Sequence, residues 1–203
     1  VKNQLTAFRS WLPLASAVVY FGKPEPLLAS EKTRFIPSEP FPRICEIVDF
    51  CADQPEWSMI LNADIYVHPV FVRLEKRLIE RKAGAASSWR HEFDPAVGVD
   101  PCERVDNGLD FFAAVPGVWS VVYDHMGRTP QGDHDSPRHL RLGGPSWDAW
   151  MVGALNKVTG HHFYNLTKYK VIRHPRHGSR RYCADIPDVH HIGACSMPER
   201  DLG

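Results

Sequence analysis

The chain has no apolar run long enough to cross a bilayer. Its longest nearly uncharged stretch, Phe111 to Val122, is broken by Pro116 and Gly117, so no transmembrane helix is expected. It has no net charge either: 24 Lys and Arg balance 24 Asp and Glu, which removes any global pull toward nucleic acid or anionic lipid and leaves charge-driven recognition to local segments. Cysteine is sparse. The five residues Cys45, Cys51, Cys102, Cys183 and Cys195 are odd in number and scattered, which argues against a disulfide scaffold and suits a reducing compartment, so a cytoplasmic location is the expectation. There is no internal repeat and no low-complexity tract. Residue 1 is Val and no basic, apolar, small-residue leader opens the chain, so a processed or trimmed start is expected.

What remains is an ordinary globular composition, 43% hydrophobic and 24% charged, at a length of 203 residues that suits one domain with a real core. Leu5, Phe8 and Leu12 recur at helical spacing, so a helix is predicted over 3–12, followed by a short strand over 17–21 ended by Gly22. Residues 23–42 carry five prolines and read as a long connecting loop. Phe41, Ile44, Ile47, Val48 and Cys51 mark a second helix. The run Trp57 to Leu61 reads as a central strand buried on both faces. Pro69 fits the first position of a third helix, with Val70, Phe71, Leu74 and Leu78 on its apolar stripe. Strands are predicted over 83–89, 109–115 and 169–172, and a helix capped by Ser146 carries Trp147, Trp150, Met151, Ala154, Leu155 and Val158 on one face. The alternation implies an α/β layer fold with a mostly parallel central sheet flanked by helices, and a more irregular second half.

In open α/β sheets, ligands bind beyond the carboxyl ends of the strands. The segment MILNADIYVHP, residues 59–69, puts Asn62 and Asp64 at such an end. A carboxylate there, with a second oxygen donor two residues earlier, can hold a hard divalent cation that keeps its other positions for water and phosphate oxygens. The competing reading makes Asp64 a turn former or a cap for the helix near Pro69.

ILNADIYVHP resembles the Asp-x-Asp region of nucleotide-sugar glycosyltransferases with the GT-A fold, in a variant whose first acidic position is Asn. SSWRHEF, DNGLDFFAAVP and GGPSWDAW follow in the order that bacterial and phage-type sugar transferases of this kind show, so the resemblance covers roughly residues 1 to 175. It implies a GT-A-like, Rossmann-related domain over 1–203, with a nucleotide-sugar-binding half over 1–100 and an acceptor-side half, ending in a basic segment, over 101–203. It also implies a nucleotide-diphospho-sugar donor, a Mn²⁺ or Mg²⁺ ion on Asp64, and Asn62 and Ala63 against the donor ribose and sugar. The metal would neutralise the charge developing on the leaving diphosphate. One fewer acid than the usual motif would weaken that metal.

Asp148, in GGPSWDAW, matches the acid that many inverting members place at a helix start as general base toward the acceptor hydroxyl. Its other reading is a first-turn carboxylate favoured by the helix dipole, and flanking Trp147 and Trp150 are either sugar-stacking faces or core. In DNGLDFF, Asp106 and Asp110 are candidates for the acid near sugar or acceptor, with Asp110 favoured because it precedes the apolar run. Arg90 offers a planar fork for phosphate or carboxylate, or else a surface ion pair.

The stretch 149–184 contains no acid but seven basic residues, Lys157, Lys168, Lys170, Arg173, Arg176, Arg180 and Arg181. In the family, a His in the segment that returns over the diphosphate can complete the metal shell. His174 is the candidate here, with His177 second. The same segment also reads as a solvated basic loop or as a patch for a polyanionic acceptor such as DNA or an anionic glycan. Cys183, His190, His191 and Cys195 could suggest zinc, though their spacing fits no familiar pattern; Asp133, His134, Asp135 and His139 could suggest a metallohydrolase, but with no third ligand group at metal-binding spacing they read more as a polar, mobile acceptor-side loop. Three functions are therefore carried forward: an inverting, metal-assisted glycosyltransferase acting on a glycan or other hydroxyl acceptor, a non-catalytic polyanion- or glycan-binding module on the same fold, and a metal-dependent hydrolase.

Overall fold

The computed structural model describes residues 2–39, 41–100, 102–127, 137–142, 144, 146–176 and 202. The chain opens with helix α1, Lys2–Trp11, which buries Ala7, Phe8 and Trp11. Strand β1, Val18–Phe21, pairs in parallel with β2, Thr33–Ile36, Val18 facing Thr33 and Phe21 facing Ile36. The proline-rich stretch is thus not all loop. Its prolines confine regular structure to the proline-free middle, where β2 forms, while Pro26 opens a 3-10 turn, Pro26–Leu28, whose Leu27 N–H is accepted by the Glu25 carboxylate. Helix α2, Ile44–Ala52, then buries Ile44, Ile47, Val48 and Cys51 on one stripe.

The main sheet contains β3 (Ser58–Leu61), β4 (Tyr66–Val67), β5 (Ala85–Phe93), β6 (Glu103–Ala114), β7 (Phe163–Asn165) and β8 (Ile172–Pro175). Its order is β3-β6-β5-β8-β4, with β7 also on β5. β6 runs antiparallel to both β3 and β5, β4 runs antiparallel to β8, and β7 and β8 run parallel to β5. The expected mostly parallel sheet is therefore corrected to a mixed one. The cause is local: the connection between β5 and β6, residues 94–102, is too short for a crossover, so β6 folds back antiparallel on β5. β3 is also not a central strand. Among the described residues it pairs only with β6, and Ile60 alone of its four residues is buried. Strands from both halves of the chain interleave in this sheet.

Two core layers flank it. One contains α1, α3 (Phe71–Glu80) and residues such as Phe111, Val67 and Ile172; the other contains α2, α4 (Pro116–Gly127), α5 (Trp147–Thr159) and residues such as Ile60, Phe112 and Phe163. α3 begins two residues after Pro69, and the His68 Nδ1 accepts the Val70 N–H at 3.2 Å at its entrance. α4 is not apparent in the sequence because Trp119, Val122 and Met126 continue the apolar composition of β6, and only the helical spacing separates them from a strand. Among the described residues of the second half, β6, α4, α5, β7 and β8 are regular elements. Among the described residues, no helix is long and apolar enough to cross a membrane.

Candidate functional site

Asp64 sits in a tight turn. The Ile65 N–H is accepted by the Asn62 carbonyl at 3.1 Å, so Ala63 and Asp64 are the turn's two central residues, immediately after β3. α1 clamps the next residues: the Trp11 indole N–H is accepted by the Ile65 carbonyl at 2.7 Å, and the Val67 N–H by the Ser10 hydroxyl at 3.0 Å. Asp64 thus forms the turn and is not the cap of α3, whose entrance is taken by His68.

From this turn a ring of side chains closes across four strands. The Asn62 Nδ2 donates to Asp110 Oδ1 at 2.6 Å. Arg90 donates from one guanidinium nitrogen to Asp110 Oδ2 at 3.1 Å and from the other to Glu92 Oε1 at 3.3 Å. His174 bridges the remainder, with Nδ1 3.8 Å from Glu92 Oε1 and Nε2 3.3 Å from Asp64 Oδ2. Arg176 adds a contact at the rim, 3.6 Å from Glu92. Strand alternation explains the grouping: Arg90 and Glu92 are two apart on β5 and share a face, and β8 lies parallel beside them with Glu92 opposite His174.

Asp148 joins from the first turn of α5. Burial is the main cause that pushes its carboxyl above the usual range, the Asp110 charge adds to it, and N–H groups of Ala149 and Leu109 oppose it. Asp110 is pushed up too, first by burial; Arg90 and His174 pull it back and Asp64 pushes it further. Asp64 and His174 act on Asp110, and Asp110 acts on Asp148, so Asp148 is linked to the ring through Asp110.

Asn62, Asp64, Arg90, Asp110, Asp148 and His174 are thus brought together, with Ala63 as backbone. Arg90 is not a surface ion pair: its partner Asp110 retains only 9% side-chain exposure. Trp147 is core, packed edge-on to Phe112 with centroids 5.1 Å apart. Ser146 precedes α5 with φ of 65° and makes no side-chain cap; the Asp148 carboxylate accepts the Ala149 N–H instead, at 2.8 Å. Sequence reasoning missed Glu92, although its two-residue spacing from Arg90 in SSWRHEF was the available signal. The side chain of Asp106, and residues Asp133, His134, Asp135, His177, Arg180, Arg181, Cys183, His190, His191 and Cys195, lie outside what is described; His139 is exposed, at the end of the 3-10 turn Pro137–His139.

Asp64 and His174 fit as a divalent-metal pair. Two ligands about 2.1 Å from a common octahedral centre lie about 3 Å apart, close to the 3.3 Å seen. No group of three or more His, Cys, Asp or Glu converges on a common point among the described residues, so water and phosphate oxygens would supply the other ligands, as is usual for Mg²⁺-type ions beside nucleotides. The charge also fits: the four carboxylates Asp64, Glu92, Asp110 and Asp148 outnumber the guanidinium groups of Arg90 and Arg176 by two.

A separate cleft of about 550 Å³ lies at the carboxyl ends of β1 and β2, against α2. Its charged lining is Glu39, Glu46, Asp49 and Asp53 against Arg43 and Arg141, and Arg141 is already paired with Glu39. Its balance of acids and guanidinium groups equals that of the ring, but no His lines it, so the ring, where Asp64 and His174 meet, is the candidate site. No family model, curated protein or solved structure matches the chain.

Proposed function

We propose that the protein is a GT-A-like glycosyltransferase that moves a sugar from a nucleotide-diphospho-sugar to an acceptor hydroxyl with inversion. What supports this reading is that Asp64 and His174, 3.3 Å apart, and the half-buried carboxyl of Asp148 all act around or on Asp110. In this reading Asp148 accepts the acceptor's proton while the acceptor oxygen bonds to the sugar C1 and the bond from C1 to the diphosphate breaks. A carboxylate raised by burial is a better base than an exposed one. Asp64 and His174 would hold a divalent ion, which would neutralise the charge that develops on the departing diphosphate. Arg90 opposes the rise that burial causes in Asp110 and so favours its ionised, acceptor form, and Asn62 fixes its orientation.

For the polyanion-binding alternative, two of the five described basic residues of that segment are engaged by acids, Arg173 by Asp100 and Arg176 by Glu92 and Glu103. The hydrolase alternative gains no support from the described residues. The test is release of nucleoside diphosphate from a panel of UDP- and GDP-sugars with Mn²⁺, for the wild type and Asp148→Asn. The reading expects release by the wild type and a fall of at least about 100-fold in the variant; equal rates would reject Asp148 as base.

A further inference from the structure

β5 and β6 do not run in simple register around Arg90. Trp89 faces Leu109, but His91 faces Arg104, so β6 passes several extra residues across the site where β5 passes one, Arg90. Bulges of this kind re-aim side chains beside functional sites. Gly108 lies in the bulged segment and, two residues before Asp110, on the same face of the strand. A Cβ at Gly108 would come within 2.5 Å of Arg90 Cδ and 2.8 Å of Cγ, and would also press on Nε. The stem of Arg90 therefore lies flat on bare backbone at residue 108, and its guanidinium reaches both Asp110 and Glu92 from that bed.

We infer that Gly108 is a positioning residue for the site: the missing side chain lets Arg90 lie across β6 and bridge Asp110 and Glu92, and any side chain at 108 lifts Arg90 off both acids. The inference rests on the proposed function only for its catalytic consequence. Backbone conformation does not demand glycine, because Gly108 lies outside the positive-φ set. What a methyl group meets is the middle of a long side chain, which can swing out toward solvent; Gly108→Ala is therefore expected to fold and to lose the bridge.

The test is a double-mutant cycle in Gly108→Ala, Arg90→Ala and the double variant, read by carboxyl ¹³C NMR titration of Asp110 and by thermal unfolding. Gly108→Ala should raise the Asp110 pKa to nearly the value found in Arg90→Ala, because both withdraw the guanidinium. It should lower the unfolding midpoint by several degrees when Arg90 is present and by less than about 1 °C in the Arg90→Ala background, where the stem it collides with is gone. An Asp110 titration unchanged by Gly108→Ala, or an equal midpoint shift in both backgrounds, would overturn the inference. Sugar transfer measured on the same proteins separates the two claims. If the titration shifts as expected while the wild type transfers no sugar, the proposed function fails and the positioning role stands.

Discussion

The carboxamide of Asn62 donates to the carboxylate of Asp110 at 2.6 Å, across the β3–β6 pair and 48 residues apart in sequence. This contact gives the Asn of the Asn-Ala-Asp segment a physical reason. An acid at position 62 would face a second carboxylate at hydrogen-bond distance, and like charges so close cannot both ionise without large cost. The charge missing from residue 62 is present nearby as Asp110.

Asn62→Asp, which would restore the two-acid motif, should therefore damage the protein. At neutral pH it should cost about 1–3 kcal/mol of stability. The new pair would have a folded pKa raised above its unfolded value, so stability is retained at acid pH and lost as pH rises from about 4 through the folded pKa. Urea denaturation of variant and wild type at pH 5 and pH 7.5 should show the gap widening with pH. A variant as stable as wild type at pH 7.5 would contradict the role given to Asn62.

Asp148 follows the same sign. Burial raises its carboxyl, so its ionisation opposes folding, and the penalty appears as pH rises past the ordinary carboxylate range through the raised value. Asp148→Asn should stabilise the fold at pH 7.5 by about 0.5–2 kcal/mol and lose that gain near pH 3.5, while abolishing transfer. Thermal scans at both pH values check it, and a destabilised variant at pH 7.5 would refute it. The wild-type rate should rise with pH through a pKa above the usual carboxylate range.

Trp11 holds the Asp64 turn through its indole N–H on the Ile65 carbonyl. Trp11→Phe keeps much of the apolar packing but leaves that carbonyl without its donor, at a cost of about 1–3 kcal/mol. Nucleotide and Mn²⁺ affinity should fall with it, since the turn carries Asp64. Chemical denaturation with calorimetry on the same variant checks both; unchanged affinity would detach Trp11 from the site.

Tyr20 is the opposite case. Its ring packs among Phe8, Trp11 and Phe35 at centroid distances of 6.0, 5.9 and 5.8 Å, yet its buried hydroxyl has no hydrogen-bond partner among the described residues. Burial pushes its pKa far up. Tyr20→Phe removes an unsatisfied group and little volume, so the unfolding midpoint should hold or rise by about 1–4 °C. A fall of several degrees would mean the hydroxyl has a partner.

Asp64, Asp148 and His174 were legible because each stands at a boundary the sequence marks: the end of an apolar strand, the first turn of an amphipathic helix, a basic segment without acids. The partners that define their chemistry were not. The Asn62–Asp110 contact depends on β3 pairing with β6, and the Arg90–Glu92–His174 chain on β8 returning beside β5; both are long-range pairings that local pattern does not specify. The antiparallel direction of β6 escaped for the same reason. β2 was hidden by the prolines around it and α4 by an apolar composition shared with the strand before it. Ser146 looked like a cap by residue type, but its φ of 65° turns the backbone away from capping geometry and Asp148 takes the N–H instead.

The central claim is that a nucleoside diphosphate binds through a cation held by Asp64 and His174. Calorimetric titration of UDP and GDP with Mn²⁺ into wild type, Asp64→Ala, His174→Ala and Asp148→Asn tests it most directly. The account predicts Mn²⁺-dependent binding of one nucleotide by wild type and Asp148→Asn, weakened by at least about 10-fold in Asp64→Ala and His174→Ala. No binding of either nucleotide by the wild type, or binding undiminished in Asp64→Ala, would contradict it.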